Sequence, residues 1–350
     1  VDKGEDAPDY SIPENPDDNG ILPVPPSRPN TNIIYAILLM FAVTGFVGIK
    51  MLESMVKKQD LSIPEADSTA RLEEMILGTG WLAAAGIFML AAGAVVLTVY
   101  IGLRFGRIKP VRQEPQNKVT WGIGALVKGL IVAFFLLVTF SIAGPIIIMP
   151  FGLSETATIM IIDSATKIMI VLWIVFMLKF EYGASPADAG LKIKHPLKDT
   201  GYAFLSYLAV LPVFAAAAFA WEWVGKSLGL EYKPSPVIGW LLESKSMLTV
   251  VLVSVSAVII APIVEEFFFR CFTYPALKRQ FGIAPSIVLS SAYFSLIHFD
   301  FFSFLPIMVL GVALAFLYER RQSIVGPAAL HFFNNARVVF LVLYLRYYAN

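Results

Sequence analysis

Charge is scarce in this chain. Only 15% of its 350 residues are Asp, Glu, Lys or Arg, against about 25% in ordinary soluble domains. Histidine is scarcer still, at three, and cysteine occurs once, as Cys271. A single cysteine excludes an intrachain disulfide and leaves the redox compartment unread. The 27 basic side chains nearly cancel the 26 acidic ones, so nothing points to a nucleic-acid partner. No apolar stretch follows a basic start at the visible N-terminus, and no signal peptide is expected there. Also missing are any repeat of fixed period, a G-x-S-x-G turn, a Ser-His-Asp grouping and the helical H-E-x-x-H zinc spacing. Serine and thiol hydrolases therefore lack their usual signatures here, and so do the zincins.

Apolar length is what the chain has in abundance. It is 57% hydrophobic, with a mean hydropathy of +0.71. Crossing a bilayer takes about 20 apolar residues per helix, and uncharged runs near that length recur. They predict nine spans, over 33–49, 81–103, 121–148, 156–178, 201–221, from 247 through a glutamate pair, 283–299, 304–318 and 324–345. The expected fold is all-α, a polytopic transmembrane helical bundle around an intramembrane polar cavity. Three regions follow. Residues 1–32 are acidic and Pro-rich, too polar to fold alone, and read as a disordered tail with a docking role for a partner as the alternative. Residues 33–118 hold two N-terminal transmembrane helices and a basic linker, and 119–350 form the core.

Loop charge orients the bundle. The second loop carries Arg104, Arg107, Lys109, Arg112 and Lys118, and the fourth Lys179, Lys192, Lys194 and Lys198. Lys278 and Arg279 mark the sixth, Arg320 and Arg321 the eighth, while the third and seventh have no basic residue. Short basic loops stay cytoplasmic. The expectation is a multi-pass integral membrane protein with its N-terminus cytoplasmic and its C-terminus outside.

Against this apolar background a few polar residues stand out. Glu265 and Glu266 end the uncharged run 246–264 inside APIVEEFFFR, and His298 and His331 occur in the next apolar segments. A central ionisable residue costs roughly 2.5–3.5 kcal/mol on insertion scales, so such groups mark functional sites. Measured up from Lys278, Glu265 lies roughly 20 Å from the basic surface at 1.5 Å per residue. The same count puts His298 roughly 22 Å up, His331 about 15 Å and Asn335 about 21 Å. Three helices thus deliver polar groups to one depth. Glu266 and Arg270 are i,i+4 with the acid first, the favourable order for a pair. Arg270 is assigned to holding Glu266, which leaves Glu265, about 100° around the helix, as the free carboxylate. A lone buried His or Glu is as easily a structural hydrogen bond; the matched set favours chemistry.

The chemistry on offer is water activation. Glu265 and His298 can take a proton from water attacking a carbonyl carbon. His331 and Asn335, i,i+4 on one face, carry N–H donors suited to the resulting oxyanion. A second reading places zinc on Glu265, His298 and His331, the His2Glu composition of some catalytic sites; the favoured one needs no cofactor.

APIVEEFFFR, Phe294-x-x-x-His298 and His331-x-x-x-Asn335 together resemble the three-motif signature of the CAAX prenyl protease and bacteriocin-processing (CPBP, or Abi) family of intramembrane endopeptidases. The resemblance covers roughly 121–345 and implies helices around an intramembrane cavity. It implies that Glu265 and His298 activate water, that His331 and Asn335 hold the oxyanion, and that Glu266 and Arg270 support them. Cys271 departs from the glycine that many members have after the arginine. The implied partners are a peptide or protein substrate at the membrane, prenylated or a leader peptide, and the lipid bilayer itself. Two other classes remain: a non-catalytic member scaffolding a membrane complex, and a proton-coupled transporter with Glu265 as its proton site. Intact motifs favour the enzyme, and the two repeated halves with paired broken helices that suit a transporter are not visible.

Four further polar residues receive ordinary readings. Asp163 and Lys167, i,i+4 within a span, read as a self-neutralising pair, with a cavity-lining role as the alternative. Lys128 can snorkel to the interface. His195, in a basic loop, reads as a surface residue. Aromatics near the site (Phe267, Phe268, Phe269, Phe272, Phe294, Phe299, Phe301, Phe302) could wall a lipid- or prenyl-accepting cavity, though helix packing and lipid contact explain them as well.

Overall fold

The computed structural model describes residues 80–105, 116–232 and 235–349. The acidic tail and the first expected span lie outside the described residues. All regular structure within them is helical. The helices are α1 (Gly80–Phe105), α2 (Ile123–Ile148), α3 (Glu155–Tyr182), α4 (Pro196–Ser227), α5 (Pro236–Glu243), α6 (Met247–Phe281), α7 (Ile283–Leu296), α8 (Phe304–Arg321) and α9 (Val325–Ala349).

Five of them, α2, α3, α4, α6 and α9, are long and apolar enough to cross a membrane, and the chain is an integral membrane protein. Large side chains such as Phe135 and Ile146 on α2, Phe176 on α3 and Phe219 on α4 stay exposed on the bundle's outside. Lipid is the solvent that accepts them without cost. The nine expected spans are not all matched. Helix α7 has 14 residues, about 21 Å of rise against a hydrocarbon core of about 30 Å. It stops at Leu296 rather than running to 299, and the reason is local. Asp300 accepts hydrogen bonds from the Phe302 amide (3.1 Å) and the Ser303 hydroxyl, an Asx-type turn that competes with helix continuation. Phe299 takes the left-handed conformation, φ 51°, within it. The short helix α5 was not expected from the apolar runs.

Capping residues set the ends of α3. The Ser154 hydroxyl accepts from the Ala157 amide at 3.2 Å, and Gly183, at φ 60°, closes the far end as Ala184 N donates to Leu178 O at 3.0 Å.

Side-chain pairs give the helix directions. Ser154 meets Thr249 (2.8 Å), Ser164 meets Ser256 (3.1 Å) and Lys167 meets Glu265 (3.7 Å). The pairs advance together on both helices, so α3 and α6 run parallel. Helix α9 runs against α6: His331 reaches Glu266, Asn335 reaches Ala257, and Arg346 binds the carbonyls of Leu241 and Ser244 just before α6. The end of α6, the end of α8 and the start of α9 therefore share one face, which we call the base.

The base is tied by a dense polar network. Glu319 accepts from Lys278 (2.8 Å), from the Tyr274 hydroxyl (2.9 Å) and from Gln322 (3.4 Å). Asn117 N donates to Gln322 Oε1 at 3.0 Å, and Arg321 Nε pairs with Asp199 at 2.6 Å. A cavity of about 300 Å³ opens here among Asn117, Tyr274, Lys278, Arg279 and Glu319. It is not the intramembrane polar cavity expected around Glu265, which sits 13 residues, or about 20 Å, along α6 from Lys278.

Candidate active site

Helix α6 is not uniform. It passes from α-helix into a π-helical turn at Ser256–Ile260, returns to α over Ala261–Glu266, and enters a second π-turn at Phe267–Thr273. Such turns are rare and concentrate at functional sites. They bracket the glutamate pair. Proline explains the first. In the π-turn the Ala261 amide donates to Ser256 O, five residues back. The next donor in that register would be residue 262, but Pro262 has no N–H. The carbonyl it leaves orphaned is Ala257 O, and Asn335 Nδ2 donates to it at 2.8 Å. A side chain from α9 thus replaces a missing backbone hydrogen bond.

Glu266 and Arg270 are fully buried, and His331 nearly so. His331 Nδ1 lies 3.0 Å from Glu266 Oε1. Arg270 Nε lies 3.1 Å from Glu266 Oε2, an ion pair without hydrogen-bond alignment. Arg270 Nη2 donates to Gly311 O at 3.4 Å, while Nη1 finds no hydrogen-bond partner among the described residues. Aromatic rings supply the rest of the guanidinium's surroundings. Its carbon stands 4.7 Å from the Phe294 centroid and 5.6 Å from that of Phe269, a desolvated cation against π-faces. Gly311 also lets α8 pack closely on α7. A Cβ there would fall 2.9 Å from Ser291 Cβ on α7.

Phe294 is the hub. His298 packs edge-on against it at 5.0 Å between centroids, and His331 does so at 5.6 Å. One ring therefore gathers the histidines of motifs two and three with the arginine of motif one. His298 Nδ1 lies 2.7 Å from Phe294 O. A carbonyl can only accept, so Nδ1 carries the proton and Nε2 of the neutral ring keeps its lone pair. His298 is exposed, on the turn just beyond α7.

Glu265 has a different setting from its neighbour. Its side chain keeps 15% exposure, and Lys167 Nζ of α3 is 3.7 Å from Oε1. His331, His298 and Arg270 lie within electrostatic range of the same carboxylate. The site thus divides into a buried Glu266–Arg270–His331 triad and an accessible pair, Glu265 and His298. The sequence pairing of Glu266 with Arg270 is found, with His331 as a third member that i,i+4 reasoning could not supply. Three participants went unread in the sequence: Lys167 as a neighbour of Glu265, and the carbonyls of Ala257 and Gly311. Only Pro262 hinted at the Ala257 contact, since a proline within a helix implies an orphaned carbonyl.

Could these residues hold a metal? No three His, Cys, Asp or Glu side chains among the described residues converge closely enough to ligate one. Zinc on Glu265, His298 and His331 would require the site to contract.

One comparison with known proteins falls on this segment. Residues 247–337 match the family model described as Rce1-like, "Type II CAAX prenyl endopeptidase Rce1-like". An 85-residue stretch is 33% identical to "Putative membrane peptidase YdiL" of Bacillus subtilis (strain 168). That alignment takes in 24% of this chain and 35% of the relative, so the chain spans about a third of the length of the relative it matches. No solved structure matches. The family resemblance carried by the three motifs is thereby shown for residues 247–337, the segment that contains all of them.

Proposed function

We propose that this protein is an intramembrane endopeptidase that hydrolyses a peptide bond of a membrane-associated, prenylated or leader-type peptide. The observation that carries this is the division of one polar site into an accessible Glu265–His298 pair and a buried triad, in the segment that matches a CAAX endopeptidase model. Glu265 is the general base. It takes a proton from water as the water oxygen attacks the scissile carbonyl carbon, and later returns it to the leaving amine as the C–N bond breaks. His298, held by Phe294 O, presents Nε2 as a second acceptor for the attacking water. His331, which gives its Nδ1 proton to Glu266, donates from Nε2 when the ring carries both protons, and Asn335 keeps one amide hydrogen beyond that given to Ala257 O. These two groups form the oxyanion site. No cofactor is assigned.

The test uses the purified full chain in lipid nanodiscs, with a farnesylated C-terminal CAAX peptide and an unprenylated leader peptide as probes. Glu265→Gln and His298→Ala should each lower kcat by at least about a hundredfold, with the folded yield preserved. Their double variant should lose little more, because residues acting as one unit are non-additive. Normal turnover by Glu265→Gln would sink the assignment. Activity should also survive prolonged chelation; loss on chelation with recovery on zinc alone would make Glu265 a ligand rather than a base.

The base is assigned to the cytoplasm, which places the C-terminus outside. In a Cys271→Ser background, cysteines at Lys194 and Ala284, both exposed, should react with an impermeant thiol reagent only from the cytoplasmic side. Cysteines at Ser154 and Ser303 should react only from the other. Labelling of Ala284 and Ser303 from one side would refute the orientation.

A further inference from the structure

Lys167 sits where a lysine is hard to accommodate. It lies 12 residues into the 28-residue helix α3, about 18 Å from one end and about 22 Å from the other. A side chain so deep cannot readily snorkel to either interface, and a central charge is costly. The i,i+4 pair with Asp163, at 2.9 Å, accounts for part of its neutralisation. It does not account for the direction of the amine, which also faces Glu265 on the parallel helix α6 at 3.7 Å.

That distance matters. At 3.7 Å the ammonium is beyond ordinary hydrogen-bond length, so it supplies charge while leaving Glu265 Oε1 open to water. The groups around Glu265 can all be named: Lys167, with Asp163 behind it, on α3; Glu266 and Arg270 on its own helix; His298 after α7; His331 on α9. Arg270 is already engaged with Glu266. Lys167 is therefore the cation of the set with charge to spare for Glu265, and Asp163 is the group that moderates it.

We propose that Lys167, tethered by Asp163, is a positioning residue for the reaction: it orients Glu265 toward water and balances the carboxylate's charge inside the membrane. The inference rests on Glu265 being the water-activating base, and it makes opposite demands of two substitutions. Removing the cation in Lys167→Met makes the carboxylate easier to protonate. Removing the competing anion in Asp163→Asn gives Glu265 a larger share of the lysine's charge.

The experiment reads Glu265 directly and then through turnover. Dicyclohexylcarbodiimide modifies protonated carboxyl groups within membranes, so its attachment to Glu265, followed against pH by mass spectrometry in the full chain, needs no activity. In Lys167→Met, modification should persist to a pH higher by about one to three units. In Asp163→Asn it should cease at a slightly lower pH than in the parent, and Lys167→Arg should restore the parent profile. With the farnesylated probe, Lys167→Met should lower kcat about tenfold to a hundredfold, leave KM within about twofold, and move the acidic limb of the pH–rate profile with the labelling curve. Identical labelling curves in the parent, Lys167→Met and Asp163→Asn, or shifts of the same sign in Lys167→Met and Asp163→Asn, would overturn the proposal. The endopeptidase reading fails separately, by full activity of Glu265→Gln. If Lys167→Met does not fold, the Asp163→Asn curve still decides: a shift to lower pH supports the proposal, and a curve identical to the parent's overturns it.

Discussion

Two polar clusters lie about 20 Å apart along α6, and they are built on opposite principles. At the base, the charged groups are met by several partners, although Asn117 Oδ1 has no hydrogen-bond partner among the described residues. Glu319 alone receives Lys278, Tyr274 and Gln322, and Arg321 is paired with Asp199 while stacking 5.0 Å over Tyr202. In the interior, Arg270 leaves Nε and Nη1 without hydrogen bonds although it is fully buried, and Glu265 keeps a lysine only at 3.7 Å. Buried polar groups in native proteins are normally satisfied, and the exceptions call for an explanation. The lesson is that the number of ionisable residues does not separate a scaffold from a site; their unused valence does. A structural cluster closes on itself. A cluster meant for substrate and water keeps donors and acceptors open.

The sharpest way to break this contrast is to remove one buried partner in each cluster. Glu266→Gln should destabilise the protein by about 3–5 kcal/mol, because it leaves Arg270 without its countercharge, and it should also impair turnover by releasing His331. The double variant Glu266→Gln/Arg270→Met should be more stable than Glu266→Gln alone while remaining inactive. Thermal unfolding in nanodiscs with parallel turnover measurements checks both. A double variant less stable than either single one would show that the triad is scaffold and not a charge arrangement.

At the base the same operation should separate stability from activity. Asp199→Asn removes the anionic partner of Arg321 and should cost up to about 3 kcal/mol, yet the surviving folded fraction should keep parental kcat. Glu319→Gln should cost less, about 1–2 kcal/mol, since Lys278 is one-quarter exposed and can turn to water. A large fall in kcat with intact folding in either variant would erase the distinction between the clusters.

How far the sequence showed all this depends on the range of the interaction. Uncharged length located α2, α3, α4 and α6, because solvent choice is a property of the segment itself. The i,i+4 rule found Glu266–Arg270 and Asp163–Lys167, both contacts within one helix. What could not be read depends on which helices become neighbours. Nothing in 155–182 says that α3 will lie parallel to α6 with Lys167 opposite Glu265. Similarly, the end of α7 at Leu296 was hidden because 283–299 reads as continuously apolar, and one Asp300 turn outweighed hydrophobicity. Depth bookkeeping nonetheless picked residues that the fold brings near one another, because Phe294 gathers both histidines and Arg270 within one small volume.

The π-turns of α6 decouple the length of the helix from its phase. Each residue turns an α-helix by about 100°, so whichever face Glu265 presents to His298 depends on how many residues precede it in the wide turn at Ser256–Ile260, as well as on which residues they are. Pro262 and Asn335 act as a latch on that count, since the carbonyl between them has no donor in the backbone. A scan of side-chain replacements along 256–260 would leave the count untouched and so would miss it. Deleting one residue there, with every motif intact, would swing the glutamate pair by roughly a quarter of a turn. The position of Glu265 is written in this stretch as a number, and only insertions or deletions can misspell it.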